Sequence, residues 1–447
     1  MSRAAYQPFG ISGSVWELSE QATAKVVPAF SMIDKNRTIN QLRVIEAFQT
    51  ARLAESQFGG TTGYGYGDLG REQIEAAFAR TFGAEAALVR IQISSGTQAL
   101  ALCLYGLLRP GDELLSVTGH PYDTLASTIG STAVPAAEPT CPLPAGYGAE
   151  PGPAGADIDT GSLRDLGVAY REIDLLADGS PDLDGIGLAI GPRTKLVYVQ
   201  KSRGYTQRRS LLADDLASIA RTVRQSGSHA VILVDNCYGE FVETREPCMV
   251  GADLCAGSLI KNPGGGLCPS GGYIAGRKDL VEKIAGRLNS PGLGSHVGPT
   301  LGFSRLIAQG FYLAPHIVAE SLKGASFAAA LFELAGFHTS PGPLAVRGDL
   351  VQSVEFGDPG RLITFCQAIQ AASPVDGHIR PEPWDMPGYE NPVIMAAGTF
   401  VQGASIELSA DGPLRPPYLA YMQGGLVFEN IKLACLMAME KMGAANR

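Results

Sequence analysis

Short apolar runs and amphipathic stretches alternate along the middle of the chain. A continuous apolar run bounded by turn residues predicts a buried strand, and apolar residues recurring every three or four positions predict a helix. Strands are predicted at residues 86–93, 113–117, 195–199 and 230–234. Helices are predicted at residues 99–108 and in the segment with Leu212, Leu216, Ile219 and Val223 on one side. Such alternation is typical of an α/β fold whose mostly parallel sheet is covered on both faces.

The N-terminal part has a different pattern. Residues 1–67 predict an arm followed by a helix, because Leu42, Ile45 and Phe48 recur at helical spacing. A tract of glycines and tyrosines then breaks all periodicity. We expect the arm and helix to end there and a large α/β domain to occupy residues 68–300.

The last third of the chain has longer helices and shorter strands. Residues 317–335 carry a long helical pattern, and strand-like pieces follow near 350–356 and 404–408. Residues 301–447 therefore predict a smaller C-terminal α+β domain.

One stretch of the large domain fits neither pattern. Residues 134–160 are rich in proline, glycine and alanine, which predicts a mobile surface insertion. The segment is either a plain tolerated loop or a lid over a substrate.

Composition and charge exclude several classes of protein. With 45% hydrophobic and 18% charged residues, the 447-residue chain can bury a sizeable globular core. The net charge of −9 is spread without blocks of like charge, so neither a nucleic-acid footprint nor a membrane-binding surface is indicated. The N-terminus lacks a secretory pattern, and no apolar run reaches the roughly 18 residues of a membrane span. The eight cysteines form no CxxC pair and the six histidines no HExxH motif, so we expect free thiols in a reducing cytoplasm and no metal site.

Two polar motifs lie where predicted strands end. Ser94-Ser95-Gly96-Thr97 stands between a strand and a helix, where backbone N–H groups and the helix dipole favour an anion; an ordinary capped helix explains it equally. Asp235 follows a buried strand directly, at the sheet edge where α/β proteins bind ligands. A buried carboxylate needs a cationic partner, and a protonated pyridine nitrogen would be one; a capping or metal-binding role is the alternative.

The third motif is a lysine between an apolar strand and a glycine-rich turn. Lys261 stands in Ser258-Leu259-Ile260-Lys261-Asn262-Pro263-Gly264-Gly265-Gly266, and by itself it could be a surface residue. Asp235 precedes it by 26 residues, enough for one connection and one strand, so both would end at the same sheet edge. An anion cup, an aspartate and a lysine in that order are what a pyridoxal-phosphate (PLP) site requires.

These residues resemble fold-type-I PLP-dependent enzymes, in particular the methionine gamma-lyase-like family often labelled "aluminium resistance protein". The resemblance covers nearly the whole chain and implies a PLP-dependent transferase-like fold with a seven-stranded, mostly parallel sheet. The matching segments are YGYGDLGR (64–71), SGT (95–97), TGHPYDT (118–124), QKSRGY (200–205), DNCY (235–238), SLIKNPGGG (258–266), PEPWDMPGY (381–389) and SIELSADGPLRPPY (405–418).

The resemblance implies roles for individual residues around the cofactor. Lys261 matches the Schiff-base lysine and Asp235 the partner of the pyridine nitrogen. Gly96 and Thr97, with Ser95 beside them, match the phosphate cup. Ser258 matches a phosphate-binding hydroxyl.

Further positions extend the implied site. Tyr122 resembles the tyrosine that stacks on the cofactor ring, although a core aromatic is the alternative, and Gln200 is placed among the cofactor-binding residues. Arg415 is the candidate for the substrate α-carboxylate because a guanidinium binds it bidentately, with Arg380 as alternative and a surface salt bridge as the plainer interpretation.

An oligomer is also implied. Tyr64, Tyr66 and Arg71 resemble the segment that reaches the phosphate of a neighbouring subunit. We therefore expect a homodimer, or a tetramer built as a dimer of dimers, with shared active sites.

Two positions depart from the family pattern. Gln98 stands where histidine is expected and His120 where lysine is expected. Both flank the cup, so they put the substrate and the leaving group in doubt.

The expected activity is elimination from an L-amino acid, with γ-elimination and carbon–sulfur cleavage as the default. The substrate amine would displace Lys261, which then removes the α-proton, while Tyr122 or Lys261 assists the leaving group. The alternatives are elimination of a non-thiol group, such as halide from an unsaturated halo-amino acid to give an alkynyl one, PLP-dependent transamination, or a non-catalytic PLP-binding stress protein.

Overall fold

The structure is a computed structural model that describes residues 3–131, 161–385 and 391–443. The predicted insertion at 134–160 lies outside the described residues. The helices of the described ranges are α1 Gly13–Lys25, α2 Val27–Ala51, α3 Leu69–Phe82, α4 Gly96–Leu107, α5 Asp123–Ile129, α6 Leu183–Ala189, α7 Ala213–Gln225, α8 Lys278–Leu288, α9 Ser304–Leu334, α10 Pro359–Ala371 and α11 Phe428–Met442. The strands are β1 Ala86–Arg90, β2 Glu113–Ser116, β3 Ala169–Glu172, β4 Thr194–Gln200, β5 Val231–Asp235, β6 Leu254–Ser258, β7 Gly272–Gly276, β8 His338–Ser340, β9 Gln352–Glu355, β10 Val393–Ala396, β11 Ser409–Pro413 and β12 Leu419–Gln423.

The large domain is built on a seven-stranded sheet in the order β1-β7-β6-β5-β4-β2-β3. Neighbouring strands are parallel except around β7, which runs antiparallel to β1 and β6. Apart from Lys195 near the start of β4, the central strands are buried because helices cover both faces, which is why their sequences are largely continuous apolar runs. The prediction of a mostly parallel seven-stranded sheet is confirmed.

The strand register brings the functional motifs to one edge. Gln200, the last residue of β4, pairs with Asp235, the last residue of β5, and Asp235 pairs with Ala256 of β6. Lys261 follows the end of β6 by a single short turn. The carboxyl ends of the three strands therefore present their polar residues side by side.

The small domain has a five-stranded antiparallel sheet in the order β10-β11-β12-β9-β8. Its residues alternate between two faces. Ala410 and Met422 belong to the core that the sheet forms with α10 and α11. Asp411, Tyr421 and Ser353 lie in register on the other face, which is turned toward the large domain.

The prediction of a strand at residues 404–408 is wrong. This segment is a series of turns, and β11 begins only at Ser409. The side chain of Glu407 explains the difference, because its two carboxylate oxygens accept hydrogen bonds from the backbone N–H groups of Phe400 and Val401, both at 2.9 Å. Those bonds fold the segment back on itself, although Ile406 and Leu408 are buried like strand residues.

The N-terminal region holds two helices, α1 and α2, where an arm and one helix were expected. Residues of the first part, including Tyr6, Ile11 and Val15, pack in the core of the small domain. The long α9 contributes to both cores, with Ile307 in the large one and Phe327 in the small one. The chain ends are thus tied together by packing, and the division at residue 300 stays a prediction.

Two sequence expectations concern features across the whole chain. Among the helices of the described residues, none combines the length and the apolar character needed to cross a bilayer. Within the same residues no group of three His, Cys, Asp or Glu side chains could hold a metal ion.

Candidate active site

The start of α4 forms a compact cradle against the carboxyl end of the sheet. The Ser95 hydroxyl accepts a hydrogen bond from Gln98 N at 3.0 Å, and the Gln98 side-chain oxygen accepts from Ser94 N at 2.6 Å and from its hydroxyl at 2.8 Å. This reciprocal capping holds the turn and leaves the first N–H groups of α4 for another acceptor. Thr97 pairs its hydroxyl with that of Thr124 at 2.7 Å.

Gly96 is needed because the helix start packs tightly on two strands. A Cβ atom at this position would lie 3.0 Å from Cys237 Sγ and 3.5 Å from Ser258 Cβ. The helix terminus, the end of β5 and the end of β6 therefore meet at one point. Ser258 is buried there, and its hydroxyl accepts a hydrogen bond from Ile260 N at 3.2 Å.

Asp235 is buried at the end of β5 with two hydrogen-bond donors. One oxygen accepts from Cys237 N at 3.0 Å and the other from the Tyr198 hydroxyl at 3.3 Å. Both donors are neutral. A buried carboxylate held this way is oriented, yet it still gains from an additional cationic partner.

Lys261 lies against an aromatic ring and within electrostatic range of Asp235. Its Nζ is 4.2 Å from the ring centroid of Tyr238, whose hydroxyl donates to Ser405 Oγ at 2.8 Å. Burial lowers the pKa of the Lys261 amine, but Cys237, Tyr238 and Asp235 raise it, and the net shift is upward. These neighbours therefore favour the protonated form of the amine.

Tyr122 is fixed by β4 and by the loop after it. Its backbone N donates to Gln200 Oε1 at 2.8 Å, and its ring centroid is 6.0 Å from that of Tyr205. Its phenol is close enough to contribute to the raised pKa of Lys261. Gln200 thus positions Tyr122, and its expected place among the cofactor-binding residues stays a prediction.

The glycine-tyrosine loop leaves two aromatic rings at the surface. Tyr64 and Tyr66 are 68% and 60% exposed and stack on each other with centroids 5.5 Å apart. Arg71, in contrast, is buried, and its guanidinium donates to the carbonyls of Gly65 at 2.8 Å and Gly298 at 2.6 Å. Its placement supports the loop from inside, and the expected contact with a neighbouring phosphate stays a prediction.

The two candidate carboxylate-binding arginines are both exposed. Arg415 lies between β11 and β12, and Arg380 lies between α10 and β10. Burial raises the pKa of Tyr421, and the positive charges of Arg203 and Arg415 oppose that shift, which places Arg415 near the face turned toward the large domain.

The two departures from the family pattern contact their own chain. Gln98 caps α4 as described, and His120 Nδ1 lies 3.1 Å from Glu172 Oε2 at the surface. Neither contact indicates a particular leaving group.

Sequence reasoning missed several residues that lie between the carboxyl edge of the large sheet and the facing side of the small sheet, a region called the cleft below. Tyr238, Arg203 and Tyr205 belong to the recognised DNCY and QKSRGY segments, so membership in a motif was the available signal. Asp411 belongs to the recognised SIELSADGPLRPPY segment, but only the sheet register places it opposite the large domain. Glu240 is a second buried acid, and burial raises its pKa to about 8 while the Tyr273 hydroxyl donates to it at 2.8 Å.

Comparison with known proteins identifies relatives along nearly the whole chain. The methionine gamma-lyase family model matches residues 15–137 and 154–443. An uncharacterised protein of Bacillus subtilis (strain 168), YnbB, is 46% identical over 422 residues, covering 94% of this chain and 95% of that protein. The crystal structure of a carbon-sulfur lyase involved in aluminum resistance from Clostridium novyi NT superimposes with a TM-score of 0.90 at 44% identity, covering 98% of both chains.

A more distant structure confirms the fold class. The pyridoxal-5'-phosphate-dependent protein YhfS from Escherichia coli matches with a TM-score of 0.58 at 19% identity, covering 92% of this chain and 97% of the other. The overall architecture is therefore that of the fold-type-I PLP-dependent enzymes. The family model and the long, high-identity relatives together show that the chain belongs to the methionine gamma-lyase family.

Proposed function

We propose that this chain is a PLP-dependent lyase that eliminates a side-chain substituent from an L-amino acid, by default through γ-elimination with carbon–sulfur cleavage. The observation that supports it most is the meeting of the α4 cradle, Asp235 and Lys261 at one edge of the sheet. Membership of the methionine gamma-lyase family and the similarity to the Clostridium novyi carbon-sulfur lyase favour the reaction class.

The residues present fit PLP. The N-terminus of α4, with Gly96 in close contact and Ser258 beneath it, suits a phosphate. Asp235 is buried with neutral donors only, so a protonated pyridine nitrogen would supply the cation that its carboxylate needs. Lys261 Nζ, which interacts electrostatically with that carboxylate, is the amine that would attach the cofactor. When bound, PLP supplies an electron sink for the charge that forms at the substrate α-carbon.

Different side chains of this protein would carry out the separate proton transfers. Lys261 Nζ takes the α-proton of the substrate and can return it elsewhere. Tyr122 Oη, or Lys261 again, delivers a proton to the departing group. Asp235 would pair with the ring nitrogen, and Arg415 would bind the substrate α-carboxylate.

We also propose that the active unit is a homodimer, or a tetramer made of two such dimers. Tyr64 and Tyr66 support this, because stacked tyrosines exposed to 68% and 60% are suited to contact a second subunit. Arg71 would serve the same loop from inside the fold.

A combined cofactor and substrate test decides the proposal. The purified protein is expected to absorb in the visible, and borohydride followed by peptide mapping is expected to find PLP on Lys261. A panel of amino acids is then screened for release of thiol, halide, ammonia and keto acid. The wild type should release ammonia with a thiol, Lys261→Ala should release neither, and the exposed-lysine control Lys195→Ala should behave as wild type. PLP on another lysine would refute the site, and transamination without a leaving group would refute the reaction.

A further inference from the structure

The loop that follows β4 is bound to the small domain at several points. This loop, residues 201–206, donates to Asp349 Oδ2 from the Ser202 hydroxyl and from Arg203 N, both at 3.0 Å. The buried Arg203 guanidinium donates to the Ser340 carbonyl at 2.6 Å and to Ser353 Oγ at 3.2 Å. A segment of the large domain is therefore seated in the small domain by bonds that link residues more than a hundred positions apart.

Tyr205, in the same loop, is also bound by the small domain. Its carbonyl accepts a hydrogen bond from the Tyr421 hydroxyl at 2.9 Å, and the two rings meet edge to face at 5.2 Å. Its own hydroxyl donates to the carboxylate of Asp411. The backbone carbonyl, the ring and the hydroxyl of Tyr205 thus all contact residues of two adjacent strands, β11 and β12.

Asp411 depends on this contact. The carboxylate is buried, its other oxygen has no hydrogen-bond partner, and its remaining donor, Gln423, is 3.4 Å away. Burial raises the pKa of Asp411 to about 7, and the Tyr205 and Gln423 bonds oppose that shift. Losing the Tyr205 hydroxyl would leave the buried acid with one long hydrogen bond.

The same loop contacts Tyr122 from two directions. The ring of Tyr205 lies 6.0 Å from that of Tyr122, and a Cβ atom on Gly204 would lie 3.4 Å from Tyr122 Cδ2. Gln200 accepts from Tyr122 N at 2.8 Å and donates to the Ser202 carbonyl at 3.2 Å. The ring and the backbone of Tyr122 both rest on a loop whose own position is set by the small domain.

We propose that Tyr205 is a positioning residue: anchored by Tyr421 and Asp411, it transmits the seating of the small domain to Tyr122 and so sets how Tyr122 covers the cofactor ring. The proposal rests on the proposed function, since Tyr122 is the residue assigned to the ring. It assigns Tyr205 no contact with substrate.

Two hydroxyl deletions test this. Tyr421→Phe removes the bond to the Tyr205 carbonyl and Tyr205→Phe removes the bond to Asp411, while both keep their rings. In the holoenzyme each should lower kcat roughly 2- to 10-fold, the range for one lost hydrogen bond, with KM nearly unchanged. Each should also alter the visible circular dichroism of bound PLP and speed hydrogen–deuterium exchange in residues 119–126.

A matched control and a conservative variant complete the test. Thr38→Val also deletes a hydroxyl bonded to a backbone carbonyl, that of Asp34 at 2.9 Å within α2, and should change none of these readouts. Asp411→Asn, which keeps an acceptor for Tyr205, should do less harm than Asp411→Leu. If Tyr421→Phe and Tyr205→Phe match Thr38→Val in exchange and dichroism, the positioning role is refuted.

The exchange measurement separates this proposal from the proposed function. It is repeated on protein stripped of PLP, where the contacts of the loop with Tyr122 are still present. Faster exchange at 119–126 in both variants supports the positioning role even if no elimination is found. Unchanged exchange refutes it even if the enzyme is an active lyase.

Discussion

At the scale of single residues, the site consists of polar side chains that are largely withdrawn from solvent and that a bound ligand could contact. Asp235, Lys261 and Glu240 all lie in or under the same sheet edge, where Asp235 and Glu240 are buried and Lys261 is half-buried. Such groups are costly to bury and are therefore the ones whose replacement should give the clearest effects.

Asp235→Ala should retain part of the PLP binding but lose most turnover, because the ring nitrogen would no longer be held protonated. The loss should be about 10²- to 10³-fold in kcat, the size expected when one preorganised electrostatic contact is removed. Steady-state kinetics and PLP titration measure the two effects separately. Tyr198→Phe is the control that removes only one neutral donor from the carboxylate. A near wild-type rate in Asp235→Ala would contradict the electron-sink role.

Arg415→Ala should raise KM for every amino-acid substrate and change kcat much less. A guanidinium–carboxylate pair contributes roughly 1.5–3 kcal/mol, equivalent to about 10- to 150-fold in affinity. Arg380→Ala is the matched comparison. Arg380 is also exposed, but unlike Arg415 it is not among the charges that shift the pKa of Tyr421. An effect on one substrate alone would indicate that Arg415 contacts that substrate's side chain. Arg380 would then be the candidate for binding the α-carboxylate.

Glu240 should make the folded protein less stable as pH rises. Burial raises its pKa to about 8, so between about pH 4.5 and 8 the folded state holds a proton that the unfolded state has released. This stability is fully present below pH 4.5 and is lost as pH rises through 8. Glu240→Gln should therefore flatten the fall of Tm from pH 5 to 9, with the exposed Glu282→Gln as control. An identical fall in Glu240→Gln and wild type would contradict this.

At the scale of secondary-structure elements, the parts that carry the site are strand ends and the start of one helix. β4, β5 and β6 end together because they are parallel neighbours in register, and α4 begins where the sheet edge is open. The capping bonds of Ser95 and Gln98 fix that helix terminus. The precision of the cup therefore depends on how closely α4 approaches the strands.

Gly96→Ala tests this approach. The added Cβ would lie 3.0 Å from Cys237 Sγ, so the helix start must shift by a few tenths of an ångström. PLP binding should weaken roughly 3- to 10-fold, or about 0.7–1.4 kcal/mol, as measured by cofactor titration. Adding Cys237→Ala should restore much of the affinity by making room. Gly187→Ala, whose Cβ would meet only Thr222 Cγ2 at 3.7 Å, is the helical control; equal effects of the two glycine changes would contradict the steric account.

At the scale of the whole molecule, two cores and a surface loop determine how the chain works. α9 contributes to both cores, the loop after β4 is bound to the small domain, and the exposed tyrosines of the 59–67 loop form the surface that we propose contacts a second subunit. If the active site is shared between subunits, two different inactive variants can restore activity to each other in a hybrid dimer.

Subunit mixing should restore activity lost in two different variants. Lys261→Ala removes the attachment lysine, and Tyr66→Ala removes a ring proposed to serve the neighbouring site. Hybrids of the two should regain up to one active site per dimer, measured as elimination activity after confirmed subunit exchange. Arg71→Ala is unsuitable as a partner, because losing its buried bonds to two carbonyls should destabilise the fold. Absence of recovery would argue for sites built within one chain.

The sequence by itself determined the features that depend on local patterns. The apolar runs predicted the strands around Val197 and Leu233 because both faces of a parallel sheet are covered, and the chain order of the anion cup, Asp235 and Lys261 indicated a PLP site at one edge. Segment matches then indicated the family. Each of these signals lies within a few consecutive residues, so no knowledge of distant contacts was needed.

Only the tertiary structure decided which side chains those segments present and to what. Arg71 stands in a recognised motif yet is buried against carbonyls from residues 65 and 298, and the apolar stretch at 404–408 is folded into turns by Glu407. Tyr205 acquires its anchors from β11 and β12, more than 200 residues away in the chain. Hydrogen bonds and close packing between residues so far apart depend on the mutual placement of two sheets, which no periodicity or short motif encodes.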